Sequence, residues 1–264
     1  MIARYRSDNT FQMHQPFFRS GAPDYTEVSV NQPYRAVFYE FTAPYAGASD
    51  LACVPDGCVD ILFVTGRDEP FMAFLGSPTA FKPVRGFPGC RCFGVRFKPG
   101  MYVSYQNLPL RDITDRELFF AGSVGVLKIF FTRLKKCFSL EQRIALFEDT
   151  FEPYVDSGTA GKVMQQMLCE INAARGGIHI ASLAESMNYS ERHISRLFQE
   201  SMGMSPKTFA RIVRFQHALD MLLSGRAALA GDYFMELGYA DQAHFQREFK
   251  QYAGVTPKSF VRLR

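Results

Sequence analysis

Tyr189-Ser-Glu-Arg-His-Ile-Ser-Arg-Leu-Phe198, followed by Gly203-Met-Ser-Pro206 and Phe209, comes back further along the chain as Tyr239-Ala-Asp-Gln-Ala-His-Phe-Gln-Arg-Glu-Phe249, Gly254-Val-Thr-Pro257 and Phe260. From Ser190 and Asp241 onward the two copies align at an offset of 51 residues, pairing His193 with His244, Arg196 with Arg247, Phe198 with Phe249 and Pro206 with Pro257. Special residues recurring at one spacing mark a duplicated supersecondary unit. What each copy builds follows from its own residues.

In the first copy Leu183, Ala184 and Met187 form the apolar stripe of a short helix, Asn188-Tyr189 turns the chain, and Ser190 is an N-cap for a second helix. Ile194, Leu197 and Phe198 share the inward face of that second helix, which turns Arg192, Ser195, Arg196 and Gln199 outward. In the second copy Asp241 caps, Phe245 and Phe249 point inward, and Ala243, Gln246, Arg247 and Lys250 point outward, with Gln242 at the helix N-terminus. Each copy therefore reads as helix, turn, helix. Arginine can bond guanine with two hydrogen bonds and glutamine can do the same for adenine, so both outward faces suit a DNA groove. A solvated polar face is the bland alternative for one such helix, and a matched pair argues against it.

Between the copies, Ser205-Pro206-Lys207 supplies an N-cap with proline at the first helical position, and Phe209, Ile212, Val213, Leu219, Leu222 and Leu223 continue a helical stripe to Ser224-Gly225. One long helix is expected, close to 30 Å in length at about 1.5 Å per residue. That length is near the roughly 34 Å between major grooves one duplex turn apart, so a single chain could present its two outward helices to successive grooves. The charge agrees: residues 161–264 hold 4 Lys and 9 Arg against 9 acidic residues, which places the whole net charge of +4 in this part of the chain.

Gly238-Tyr239-x-Asp241-x-x-His244-Phe245-x-Arg247-x-Phe249 with Gly254-x-Thr256-Pro257-x-x-Phe260 resembles the C-terminal signature of AraC/XylS-type transcription regulators. The resemblance covers about residues 163–264. It implies two helix-turn-helix units, recognition helices at about 191–201 and 242–252, and DNA-facing positions at Arg192, Ser195 and Arg196 in the first unit and Gln242, Ala243, Gln246 and Arg247 in the second. Two features depart from the family pattern: Ala243 offers only an apolar contact, and Leu229-Ala230-Gly231-Asp232-Tyr233-Phe234 stands where an Ile-Ala helix start is usual.

Upstream the pattern changes. Tyr34 to Phe41, Cys58 to Thr65, Phe71 to Leu75 and Phe93 to Phe97 are short β-branched and aromatic runs, separated by turn chemistry such as Pro55-Asp56-Gly57, Thr65-Gly66, Pro88-Gly89 and Pro99-Gly100. This predicts a β barrel or sandwich. The run Pro55 to Phe63, with Gly94-Val95-Arg96-Phe97-Lys98-Pro99-Gly100, resembles an uncharacterised N-terminal domain that accompanies AraC-type DNA-binding units. That resemblance implies a cupin-like domain for ligand sensing or self-association. Phe63 and Phe74 among the interior aromatics, with Asp60 and Arg96 as polar anchors, are the candidate ligand-binding residues; an ordinary aromatic core is the competing reading. Leu140, Ile144 and Phe147 carry helical spacing between the two halves, and Pro153 to Lys162 reads as the boundary.

The six cysteines include Cys53, Cys58, Cys90 and Cys92, a set that could hold a metal or act as a redox switch, although buried packing of small apolar thiols is the simpler account. His193 and His244 sit at equivalent places after their N-caps, which favours a local role over metal ligation. No histidine occurs between His14 and His179, so a histidine-rich catalytic metal site in the β part is excluded. The Gly89-Cys90-Arg91-Cys92 stretch lacks the histidine that would activate a thiolate nucleophile. No apolar run approaches a membrane span, and the first residues lack the apolar core of a signal peptide, so a cytoplasmic location is expected.

The sequence thus predicts an α+β protein: a cupin-like β-barrel or sandwich at 1–120, a helical connector at 121–160, and an all-α double helix-turn-helix domain at 161–264. It predicts a regulator, not an enzyme, that needs no cofactor. Its partners would be promoter DNA, RNA polymerase, a small-molecule effector of unknown identity and a second copy of the chain. A cysteine-based metal or redox sensor, and a module whose helices meet protein instead of DNA, are the alternatives.

Overall fold

The computed structural model describes residues 13–31, 35–45, 51–84, 87–104, 108–156, 161–225 and 233–263. In the first half β1 (Thr26–Val30), β2 (Ala36–Thr42), β4 (Val59–Thr65), β5 (Phe71–Leu75), β7 (Arg91–Phe97) and β9 (Glu117–Ala121) form one antiparallel sheet in the order β1-β2-β7-β4-β5-β9. Two-residue ladders join β3 (Ala52–Cys53) to β6 (Lys82–Pro83), and β8 (Tyr102–Val103) to β10 (Val155–Asp156). The expected β module is therefore a six-stranded sheet whose order runs from β1 to β9.

Both faces of this sheet are covered, which explains why β4 is buried at every position except Thr65 and does not alternate. One face carries Phe38, Ile61, Phe63, Phe74, Val95 and Phe97. Onto it pack α3 (Gly125–Leu134) and α4 (Leu140–Phe151), so the helices expected as a connector close the sheet's own core. The Phe63 and Phe130 rings lie 4.4 Å apart there, and Phe63 also meets Phe151. The other face carries Tyr39, Phe41, Leu62, Val64 and Cys92 and is covered by Phe18 of α1 (Pro16–Gly21). Gly94 of β7 is required on this face, because a Cβ would fall 2.1 Å from the Tyr39 ring.

The second half is helical: α5 (Gly161–Ala173), α6 (Ile180–Ser186), α7 (Glu191–Met202), α8 (Pro206–Leu223), α9 (Tyr233–Glu236), α10 (Gln242–Ala253) and α11 (Pro257–Arg262). A short α2 (Leu110–Ile113) joins the sheet to this half by packing on α7. The 18 residues of α8 run unbroken from their Ser205 cap, whose hydroxyl accepts from the Thr208 amide. At 1.5 Å per residue α8 is about 27 Å long, as its sequence implied. One end of α8 packs in a core with α5, α6 and α7, and the other end in a core with α9, α10 and α11. The Leu229 to Asp232 part of the departing segment, and Ser157 and Gly158 of the expected boundary, lie outside the described residues.

Candidate nucleic-acid interface and an interdomain cavity

The two repeats fold alike because their caps and core positions are alike. Ser190 caps α7 by accepting from the His193 amide at 3.2 Å, and Asp241 caps α10 by accepting from the His244 amide at 2.6 Å. Ile194 and Phe198 in α7, and Phe245 and Phe249 in α10, are buried. That fixes the rotation of each helix. Arg192, Ser195, Arg196 and Gln199 are exposed on α7, and Gln242, Ala243, Gln246, Arg247 and Lys250 are exposed on α10. Gln199 turns its amide back to the Gly203 carbonyl at 3.1 Å, and the Arg196 guanidinium rests 3.4 Å from His193 Nδ1.

His193 stacks on Tyr189 at 4.6 Å, and His244 meets Tyr239 edge-on at 5.4 Å. Each histidine thus braces the turn of its own unit. Among the described residues no group of three His, Cys, Asp or Glu side chains is arranged to hold a metal. Burial raises the Cys58 thiol well above its ordinary value and pushes the Cys92 thiol up to about 12, so neither is poised as a thiolate.

The four residues read as ligand anchors separate into two places. Phe63 and Phe74 belong to the closed aromatic core under α3 and α4. Asp60 and Arg96 lie on the opposite face and bond each other, Arg96 Nε donating to Asp60 Oδ2 at 3.2 Å, while the Tyr39 hydroxyl donates to Asp60 Oδ1 at 2.8 Å. Asp56 joins them with its Oδ2 3.6 Å from Arg96 Nε, and the guanidinium lies over the Tyr39 ring at 5.4 Å. Burial raises the Asp60 carboxyl above the usual carboxylate range, opposed by Arg96. Burial also works against the Arg96 charge, but Asp60 and Asp56 more than restore it.

This cluster touches the junction of the two halves. Gln15 donates to Asp56 Oδ2 at 2.7 Å and to the Val54 carbonyl at 2.8 Å, and accepts from the Val54 amide. The neighbouring His14 bonds α8: its amide donates to Gln216 Oε1 at 2.7 Å and its ring lies 3.1 Å from Asp220. Beside this strap opens a cavity of about 1180 Å³. Its wall includes Arg35, Arg96 and Lys98 from the β half, and Leu168, Asn172 and Phe209 from the helical half. The Asn172 Oδ1 atom is buried there without a hydrogen-bond partner. Sequence reading missed the cavity, since its walls come from segments far apart in the chain.

The helix-turn-helix domain family matches residues 183–263, and a domain of unknown function (DUF6597) matches residues 34–119. An uncharacterised helix-turn-helix transcriptional regulator of Haemophilus influenzae is 35% identical over 82 residues, 31% of this chain and 27% of that protein. The lactose operon transcription activator of Staphylococcus xylosus is 26% identical over 83 residues, 31% of this chain and 29% of that protein. The match thus spans under a third of either relative. Among solved structures, ToxT from Vibrio cholerae O395 aligns with a TM-score of 0.42 at 11% identity, over 86% of this chain and 93% of that one. Residues 183–263 are a helix-turn-helix domain.

Proposed function

We propose that the protein is a sequence-specific DNA-binding transcription regulator whose two recognition helices, α7 and α10, read one promoter face. The observation that carries this reading is the exposure of Arg192, Ser195 and Arg196 on one helix, and of Gln246 and Arg247 on the other, with both helices mounted on the single α8. Gln199, Gln242, Ala243 and Lys250 complete the two DNA-facing surfaces. In this reading residues 1–120 form the sensing domain, 121–160 the helical connector, whose α3 and α4 also close the core of the sheet, and 161–264 the DNA-binding domain.

The cavity between the halves is the effector site of this proposal. Asp56 and Asp60 compensate Arg96, so the positive charge left on the wall is that of Arg35 and Lys98, while Leu168 and Phe209 are apolar; the effector of this reading is an apolar molecule with an anionic group. Asp60 serves it by holding Arg96, while Phe63 and Phe74 act from behind as the packed floor of the sheet. Recruitment of RNA polymerase and pairing of two chains belong to the same reading, because doubling the contacts raises effective affinity.

The test is binding of the purified protein to its own upstream duplex and to a scrambled duplex across a salt series. Tighter binding to the upstream duplex, weakening steeply as salt rises, is the expected result. Absence of binding to either duplex at low salt, with and without candidate effectors, would replace this reading with that of a protein-interaction module.

A further inference from the structure

Glu248 lies on the recognition helix α10, directly after Arg247, yet it is only 3% exposed. Two arginines of α8 converge on its carboxylate. Arg211 Nε donates to Oε2 at 2.7 Å, and Arg214 donates through Nε at 3.3 Å and Nη2 at 3.2 Å to Oε1. Each guanidinium also lies over a tyrosine of the second unit, Arg211 over Tyr252 at 5.6 Å and Arg214 over Tyr239 at 4.4 Å. Arg214 reaches the Gly238 carbonyl as well, at the turn that leads into α10.

Among the described residues the first unit has no such ionic contact. At the repeat offset the residue matching Glu248 is Leu197, which is half-buried and packs in the apolar core of its unit. The first recognition helix is therefore seated on α8 by apolar contacts, whereas the second is seated by apolar contacts plus an ionic pin. Apolar contacts are non-directional and tolerate small rotations. A carboxylate gripped by two planar guanidinium groups is directional and tolerates them poorly.

Resting on the DNA-binding reading above, we propose that Glu248 is a positioning residue for DNA recognition, setting the rotation of α10 so that Gln246 and Arg247 meet the bases. The same geometry makes Arg211 and Arg214 internal counter-charges of Glu248. They are not phosphate ligands, although cations on a helix that bridges two DNA-reading units suggest that role.

The test compares wild-type full-length protein with Glu248→Gln, Glu248→Asp and Arg211→Gln on the specific and the scrambled duplex, over a salt series and with a footprint. Glu248→Gln should lose at least tenfold in the ratio of specific to scrambled affinity. The loss should map to the bases covered by the second unit, and Glu248→Asp should recover part of it. Arg211→Gln removes only the half-exposed partner and leaves Arg214 paired, so it decides the matter even if Glu248→Gln does not fold. It should lower the ratio while leaving the slope of log affinity against log salt unchanged, whereas loss of a phosphate contact reduces that slope by about one. An unchanged ratio in the folded variants, or a reduced slope in Arg211→Gln, overturns the inference. A wild-type protein that fails to discriminate the duplexes overturns the regulator reading, and this one with it.

Discussion

Gln216, in the middle of α8, donates a 2.7 Å hydrogen bond to the carbonyl of Pro55, in the loop that leads into β4. Its amide also bonds the His14 carbonyl at 3.2 Å and accepts from the His14 amide, and the side chain is fully buried. One residue of the bridging helix thus fixes both the N-terminal strap and the β half. Gln216→Leu keeps the volume but strands buried backbone groups of His14 and Pro55, at an expected cost of about 1–3 kcal/mol. Urea unfolding checks this. The same variant should respond less to an effector in its DNA affinity, because the helix that carries both recognition helices is no longer tied to the cavity wall.

Gly57 sits beside this contact with φ of +73°, and a Cβ there would fall 2.6 Å from the Phe209 ring of α8. Gly57→Ala should therefore cost at least the ~1–2 kcal/mol of a left-handed L-residue, with Phe209 displaced in addition. A lowered melting temperature with altered aromatic circular dichroism is the expected outcome. An unchanged melt would show that the two halves do not pack here as described.

How much of this was legible beforehand depended on how local each signal was. The caps Ser190, Ser205 and Asp241, the proline at the start of α8 and the repeat spacing are all decided within a few residues, and the helical half follows from them. The central strands were legible from their apolar runs. The edge strands β1 and β9 were missed because Thr26–Val30 and Glu117–Ala121 lie at the sheet's margins and are mostly half-buried or exposed, so they lack the apolar run that marks β4, β5 and β7. Glu248 was missed for a different reason: it occupies a core-facing position three residues after Phe245, and only the arginines of a separate helix make a carboxylate tolerable there. The separation of Phe63 and Phe74 from Asp60 and Arg96 follows from the period-two alternation of strands. Asp60 and Phe63, or Arg96 and Phe97, cannot share a face, which reading the aromatics as one group overlooked.

Among the described residues Arg96 is the single guanidinium paired with both Asp56 and Asp60. Arg96→Met leaves two carboxylates buried without their counter-charge, a change that costs about 3–5 kcal/mol when one partner of a buried pair is removed. Arg96→Lys should recover only part of this, since a lysine cannot reproduce the forked bonding. Chemical denaturation of both variants measures the difference. Equal stability of Arg96→Met and wild type would mean that the cluster is far more hydrated than its burial indicates.

Burial holds His14 below its ordinary value of 6.5; Asp220 and Glu27 act in the opposite direction and Arg19 with the burial. The sign of the linkage follows. Around pH 6.5 the unfolded chain takes up a proton that the folded chain does not, so the unfolded state binds more protons and stability falls as the pH drops through this range. The contribution is fully present above about pH 7 and is lost toward the lower folded value, with a slope of at most about 1.4 kcal/mol per pH unit for one proton. His14→Gln should lower stability at pH 7.5 by removing the contact to Asp220, yet lose less than wild type between pH 7.5 and 5.5. Parallel declines in the two proteins would place the pH sensitivity elsewhere.

Arg196 and Arg247 occupy equivalent positions in the repeat, both exposed on the outward faces of their helices. Their surroundings differ. Arg196 Nη2 lies 3.4 Å from His193 Nδ1, while α10 carries the ionic pin at Glu248, next to Arg247. If both arginines read bases, Arg196→Ala and Arg247→Ala should each cost about 1–3 kcal/mol on the specific duplex and relax the preference at one base position only. Arg192→Ala, at the start of α7, tests the other class of contact: as a phosphate ligand it would weaken specific and scrambled duplexes alike and reduce the salt slope by about one. Affinities of the three variants for a panel of single-base substitutions separate the two classes. Unchanged affinity and preference in both Arg196→Ala and Arg247→Ala would remove these residues from the interface and shift the reading role to Gln246 and the remaining polar side chains.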